Sequence, residues 1–469
     1  MTVQVFSPAI SVKLIKSVRL RTNITEDGLS GNKEIELTPY LQEGSSVSTH
    51  KALNTPNGGF TIRLADRFVR ALNEPVYTLA EPMDAVEIRM SRVGKPMLVM
   101  RGVVTDVSLD ESVGGDGKPS RIVTITGGDY GAFFRMIQIS FLRGSQVGEA
   151  MLSKSGQYMQ EKFGIPNGLI PAGAFVIYLV SLVVNASLQK ITNTAIQDLR
   201  VDTSGADNSD MVPMLGFHAN PQGTMWSHLQ EYGNIGPFYE MFFDDAEAAT
   251  TLVYRKPAFK RLDPQGSSDY IFPRTSAETF SVKPDEITSI KRSRSEHDVA
   301  NYYYVRAPKG DFFTPIDTLL MSIVGEGSNL YTGQVQNCEE SVYGFRMLEA
   351  VTTHGNSLEP GQDKETNKKS QSNLTTYMKK QIKYLQDCNV DNVMFESGSI
   401  RCNGDPKYKP GRYCEIDWGN GVKFTAYVVS VAHTFEPFKG YTCTLQFIRG
   451  TEFAARLAAK TPYFYGHGS

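Results

Sequence analysis

Polar and apolar positions alternate most cleanly between Met394 and Gly450, where short runs are joined by tight turns. Val422–Glu436 reads as one long strand and Tyr441–Arg449 as its return. Between them, Pro437-Phe438-Lys439-Gly440 has turn chemistry: Pro presets φ and Gly supplies φ > 0. Alternation places Tyr427, Val429, Val431, His433 and Phe435 on one side of the first strand. It places Tyr441, Cys443, Leu445 and Phe447 on one side of the second. Asn420-Gly421 marks a further hairpin after Tyr413–Asp417. A strand from Val422 to Glu436 would span roughly 50 Å at ~3.3 Å per residue, so it must bend or bulge. Long, curved antiparallel strands predict a small barrel.

The first part of the chain has the same character. Ser11–Arg21, Gly59–Leu64, Val86–Arg92, Met97–Val107 and Arg121–Thr126 read as strands, with a turn at Gly94-Lys95-Pro96 and a Gly-rich loop before Arg121. Val103, Val104 and Val107 cannot share one face, which predicts a bulge there. In the middle, Met151, Met159 and Phe163 have helical spacing, and Met225, Trp226, Leu229 and Tyr232 fall on one helical face ended by Gly233. A hairpin follows, "GPFYEMFFDD" and "TTLVYRKPAF", across which Glu240 and Arg255 are placed to pair. Asp244-Asp245 is expected at its apex, the two side chains pointing apart and solvated, so it is not read as an acid/base pair. Residues 355–373 are polar and expected to be exposed and mobile. Leu374–Leu385 reads as an amphipathic helix with Tyr377, Ile382 and Leu385 inward.

Composition narrows the function. The formal net charge is −2, so nothing global points to nucleic acid. Lys291, Arg292 and Arg294 are followed directly by Glu296 and Asp298 and read as a solvated face or subunit contact. The five cysteines form no CxxC and read as reduced thiols. The N-terminus lacks the pattern of a secretory signal. Ile170–Leu188 is uncharged and mostly apolar, but Pro171, Gly173, Ser181 and Asn185 make it a buried element rather than a membrane span. "GGDYG" lacks the Lys-Ser/Thr of a phosphate-binding loop. His433 reads as a satisfied, partly buried histidine, and a zinc set of Cys402, Cys414, Cys443 and His433 is disfavoured. No catalytic residue, metal ligand or cofactor is assigned, and the chain is not read as an enzyme.

Several of these segments resemble phage tail baseplate hub proteins, a family related to the N-terminal hub part of VgrG proteins in contractile injection systems. "GSIRCNGDPKYKPGRYCEI" and "YVVSVAHTFEPFKGYTCTLQFIRG" are similar to the family's terminal barrel, with Cys443 where the family has Thr. Gly102 and Asp129 match the first barrel. Trp226, Leu229, Glu240, Phe242, Asp244, Arg255, Pro257 and Phe259 match the helix–hairpin signature. Asn301 and the "YGFR" at Tyr343–Arg346 match further motifs. The resemblance covers roughly residues 60–135, 216–310 and 341–450.

It implies a mainly β chain with α+β insertions: two related small antiparallel β-barrels plus helical and α+β insertion domains. The expected parts are a first barrel at 1–135, a helical insertion at 136–215, a middle domain at 216–310 that lends strands to the first barrel, a second barrel at 311–450, and a tail at 451–469. The family further implies a homotrimer. It would meet the tail tube or distal tail protein above and the central spike below, with the tape measure protein in its lumen and DNA passing without specific binding. No stable membrane insertion is expected. The location would be the virion tail baseplate, assembled in the host cytoplasm. The alternatives are a hub-associated peptidoglycan-degrading enzyme and a receptor-binding adhesin. Tyr463, Phe464 and Tyr465 are expected to dock the tail on a partner chain, either the spike or a neighbouring hub subunit.

Overall fold

A computed structural model describes residues 8–16, 34–56, 58–69, 74–113, 119–138, 169–191, 195–213, 223–261, 270–306, 340–355, 364–419 and 422–452. The expected helix at 148–163, the Asn420-Gly421 pair, residues 311–339 and the aromatic tail lie outside them.

The chain is mainly β with helices between. In the N-terminal part the strands are β1 (Ala9–Ile15), β2 (Glu34–Glu36), β3 (Ser46–Ala52), β4 (Gly59–Ala65), β5 (Phe68–Val69), β6 (Glu74–Pro75), β7 (Ala85–Ser91), β8 (Met97–Val113) and β9 (Pro119–Asp129). The middle holds β10 (Leu169–Pro171), β11 (Arg200–Asp202), β12 (Met211–Pro213), β13 (Glu240–Asp245), β14 (Thr250–Arg255), β15 (Thr279–Ser281), β16 (Ile287–Ser293), β17 (Tyr302–Arg306) and β18 (Met347–Val351). The last four are β19 (Glu396–Asn403), β20 (Arg412–Asp417), β21 (Lys423–Glu436) and β22 (Gly440–Glu452).

Thirteen of these strands form one sheet in the order β16-β19-β22-β21-β3-β4-β9-β8-β7-β1-β2, with β15 and β20 branching from β21. The separate barrels expected from sequence are therefore not seen as separate units. The N-terminal and C-terminal strands are joined where β3 pairs with β21, Ala52 opposite Ser430 and Val47 opposite Phe435. One hydrophobic core runs under both, from Val12, Ile62 and Ile88 to Ile400, Val431 and Leu445. The middle region lends β15 and β16 to the C-terminal strands β20 and β19, not to the N-terminal ones.

β21 shows why the join is possible. Its pairing with β22 slips between Thr425 and Tyr427 and again between Val428 and Ser430. Residues up to Val428 pair with β20 and those from Ser430 pair with β3. The bulge is the fork, because the extra residue bends the strand away from one neighbour and toward the next. It also overturns the simple alternation. Val428, Val431 and Phe435 face the main core, whereas Tyr427 and Val429 face a small cluster on the reverse side with Ile448. β22 has its expected Tyr441, Cys443, Leu445 and Phe447 in the core, and Phe438 takes φ 67° in the intervening turn. A further slip at Val104/Asp106 marks the bulge expected in β8.

A second core lies in the middle region. The apolar Ile170–Leu188 stretch forms a helix, α over Ala172–Tyr178 and π over Leu179–Asn185, that buries Phe175, Val176, Leu179, Val180, Val183 and Val184. Among the described residues no helix is long and apolar enough to cross a membrane. Thr224 caps the Met225–Tyr232 helix by accepting from Ser227 N. The buried face of that helix is Met225, His228, Leu229 and Tyr232, the i, i+3, i+4, i+7 set, and Trp226 is half-buried beside it. The polar stretch after residue 363 is the start of a helix, Lys364–Asn389, rather than a loop. Its Lys, Glu and Gln favour a helix without an apolar stripe to announce it. Tyr377, Met378, Ile382 and Leu385 bury it in the middle core, so this part belongs there and not with the second barrel.

Candidate functional site

The residues singled out in sequence converge where the hairpin β13–β14 meets the fork in β21. Glu240 and Arg255 stand opposite in register, with Arg255 Nε donating to Glu240 Oε1 at 2.7 Å. The two other guanidinium nitrogens cross to other segments. Nη1 donates to Ser276 O at 2.6 Å, and Nη2 donates to Gly411 O at 2.7 Å and Tyr427 Oη at 3.2 Å. Tyr427 Oη reaches the Glu240 carboxylate at 2.6 and 2.7 Å. Burial pushes the Glu240 carboxyl up, opposed by the Arg255 charge and the Tyr427 hydroxyl. Burial opposes the charge on Arg255 too, but Glu240 prevails and raises it. Gly411 belongs to the "GDPKYKPG" run and has φ +74°; a Cβ there would lie 2.7 Å from the Phe242 ring and 3.2 Å from Arg255 Nη2. Only glycine meets both demands. The pair is thus more than the cross-hairpin contact expected from sequence: it fastens the hairpin to two separate parts of the C-terminal strands.

Asp244 and Asp245 do point apart, but they are not solvated. Asp245 is buried, 2.5 Å from Lys51 Nζ, and accepts from Thr250 Oγ1 at 2.6 Å and Arg101 N at 3.0 Å. Asp244 meets Lys409 and Arg412 of the C-terminal strands. Lys51 also stands 3.7 Å from buried Asp129, whose Oδ1 accepts from Gly131 N at 2.9 Å. Burial raises the Asp129 carboxyl against the pull of Lys51, and the two acids hold Lys51 charged against its own burial. Gly102 pairs with Asp129 across β8–β9, and a Cβ on it would run into Gly128 O. The "GGDYG" segment is therefore a corner anchored by its aspartate.

The remaining assigned residues are structural contacts nearby or in the middle region. Asn301 donates through Nδ2 to Gly344 O at 2.7 Å and accepts from Arg346 N at 2.9 Å, so it clamps the "YGFR" turn, where Gly344 has φ 69°. His433 is buried, with Nε2 3.1 Å from Tyr408 O and Nδ1 2.7 Å from Tyr441 Oη and 3.0 Å from Cys443 Sγ. A carbonyl can only accept, so the neutral ring carries its proton on Nε2. Among the described residues no three His, Cys, Asp or Glu side chains gather as metal ligands would. Lys51 was not singled out in sequence, and Tyr427 was placed only by strand alternation, because nothing near either residue speaks of a partner far along the chain.

Burial lowers His433, His228 and His354 to about 4 each. A histidine depressed in the folded state favours folding above its unfolded value of ~6.5, and this is lost as pH falls toward the folded value. For His433 the loss is about 3 kcal/mol, at ~1.4 kcal/mol per pH unit. We expect urea midpoints to fall between pH ~6.5 and ~4, and His433→Gln, which keeps a donor for Tyr408 O, to shed close to one proton of that slope. An unchanged slope in this variant contradicts the assignment.

With the geometry in place, the chain can be set beside known proteins. No known protein family and no curated protein matches its sequence. Solved structures that align with it over most of its length include tail proteins and a secretion-system component. One is a tail protein of Neisseria meningitidis MC58, with 10% identity over 96% of this chain and 99% of that one, at TM-score 0.49. Another is the 43 kDa tail protein of prophage MuSo2 from Shewanella oneidensis, with 10% identity over 94% and 98%, at TM-score 0.42. A third is the E. coli c3393 protein, a type VI secretion system component structurally similar to the T4 tail proteins gp27 and gp5, with 8% identity over 88% and 76%, at TM-score 0.34.

Proposed function

We propose that this chain is a structural tail hub protein that forms a trimeric ring, adapting a sixfold tail tube to a threefold central spike. The observation that carries the reading is the lock at Arg255. It holds Glu240 of the helix–hairpin signature and the carbonyl of Gly411 in the terminal motif at once. Motif segments that resemble one family at separate places in the chain are here parts of one buried junction. A rigid junction of this kind suits a load-bearing adaptor.

On this reading the N-terminal strands and the C-terminal strands are the two related tube-facing halves. Three copies then present six halves to the tube and three to the spike, a symmetry that closes. The ring encloses the tape measure protein and later passes DNA. A near-neutral chain suits passage, because holding phosphate needs many exposed cations. The chain works in the virion tail, without a catalytic step. Mass measurement of the purified protein, alone and with tube and spike proteins, should give a trimer. A monomer in every assembly sinks the ring. Release of muropeptides from peptidoglycan, or saturable binding to host cells, would instead favour the enzyme or the adhesin.

A further inference from the structure

The reverse face of β21 and β22 carries a cleft of about 530 Å3. Pockets that hold a ligand run from ~300 to 1,000 Å3, with apolar walls and a few polar groups. Here the walls are Pro257, Phe259, Leu385, Val429 and Ile448. Among the described residues the one cation in the wall is already committed: Arg449 is buried between the rings of Phe259 and Phe395, 4.7 and 4.1 Å from their centroids, and donates to Cys388 O and Lys260 O. At the rim, Glu349 is paired with Arg306 and Glu396 with Arg292 and Arg294, so the charge left open there is that of Asp298. Asp298 is exposed and has no cation partner among the described residues. An apolar groove with one open carboxylate at its rim fits a segment that is apolar and carries a cation.

The chain supplies one beside the groove. Ile448 and Arg449 lie in the wall, Gly450 pairs with Glu396 at the rim, and Glu452 ends β22 in an ion pair with Arg292. Residues 453–469 follow, "FAARLAAKTPYFYGHGS". They contain Arg456 and Lys460, no Asp or Glu, and the apolar Phe453, Leu457, Tyr463, Phe464 and Tyr465. Each residue reaches up to ~3.3–3.6 Å, so a few suffice to turn back into the groove.

We infer that this cleft is the docking site of the chain's own C-terminal segment, with aromatic side chains on the apolar walls and Arg456 or Lys460 against Asp298 at the rim. The sequence alone assigned the segment to a partner chain; the place where β22 ends puts a fitting receptor on the same chain. The inference is independent of the hub reading. It is tested by amide hydrogen exchange on the full chain, on a chain ending at Glu452, and on the full chain with Arg456→Glu and Lys460→Glu. Peptides covering Gly236–Glu240 and Asn389–Ser397 should exchange several-fold faster in both variants, and adding the synthetic 453–469 peptide to the shortened chain should restore their protection. Unchanged exchange in both variants overturns the inference. Protection in the full chain that fades on dilution also overturns it, since the segment would then occupy a second copy. If the shortened chain does not fold, the charge variant carries the test alone, and unchanged exchange there is decisive.

Discussion

Replacing Arg255 by Met will destabilise the protein by about 3–5 kcal/mol, the cost of removing one partner from a buried ion pair. The size follows from what is left behind. Glu240 is buried beside Tyr427, and the Gly411 and Ser276 carbonyls each lose a charged donor. The partner experiment is Glu240→Gln, alone and combined with Arg255→Met. Because the two side chains act as one unit, the double variant should lose clearly less than the sum of the single losses. The sign with pH is also fixed. Without the Arg255 charge, burial is opposed only by hydrogen bonds from the Tyr427 hydroxyl and the Ala258 backbone, so the Glu240 carboxyl rises further. A carboxyl raised in the folded state favours folding below its unfolded value of ~4.3, and that contribution is lost as pH rises. The deficit of Arg255→Met should therefore be smaller near pH 5 than near pH 8. Additive losses in the cycle, or a deficit independent of pH, would show that the lock is not the unit described.

Lys51→Met should be about as costly, ~3–5 kcal/mol by the same rule, and for a different reason. Lys51 is the cation between two buried carboxylates, Asp245 at 2.5 Å and Asp129 at 3.7 Å. Methionine fills much of the space but leaves two like charges facing each other. One carboxyl must then take up a proton, so folding of Lys51→Met near neutral pH is expected to take up about one proton that folding of the wild type does not. Chemical unfolding across pH should show the variant recovering as the solution becomes acidic. The second substitution Asp129→Asn, made on top of Lys51→Met, should restore part of the loss by removing one of the two acids. No recovery in either case would mean that Lys51 acts through packing alone.

How far the sequence could be read depended on the range of the signal. The turn at Phe438 and Gly440, the return strand and the bulge in β8 are local, written in two- to six-residue patterns of the kind that sterics enforce. The burial of 172–188, though not its helical form, was legible because a stretch without charge had to be covered. Alternation failed in β21, because a bulge shifts the period by one and leaves no mark in composition. Asp245 was misjudged for a related reason. Adjacent acids near a hairpin end are usually solvated, and the lysine that buries this one stands 194 positions earlier. The single sheet was hidden in the same way, since the β3–β21 pairing depends on two strands that each look complete alone.

That pairing bears on how the protein is made. His50 of β3 and Ser430 of β21, linked by a hydrogen bond, are 380 positions apart. At ~5–20 residues per second of synthesis, β3 emerges roughly 20–80 s before the strand that covers its free edge. During that interval the N-terminal strands present unpaired N–H and C=O groups that any other nascent chain can match. The seam between β3 and β21 is thus among the last of the sheet to close, with only the pairings of β22 made from later residues, and the yield of soluble protein should depend on how well the cell shields the edge of β3 until then.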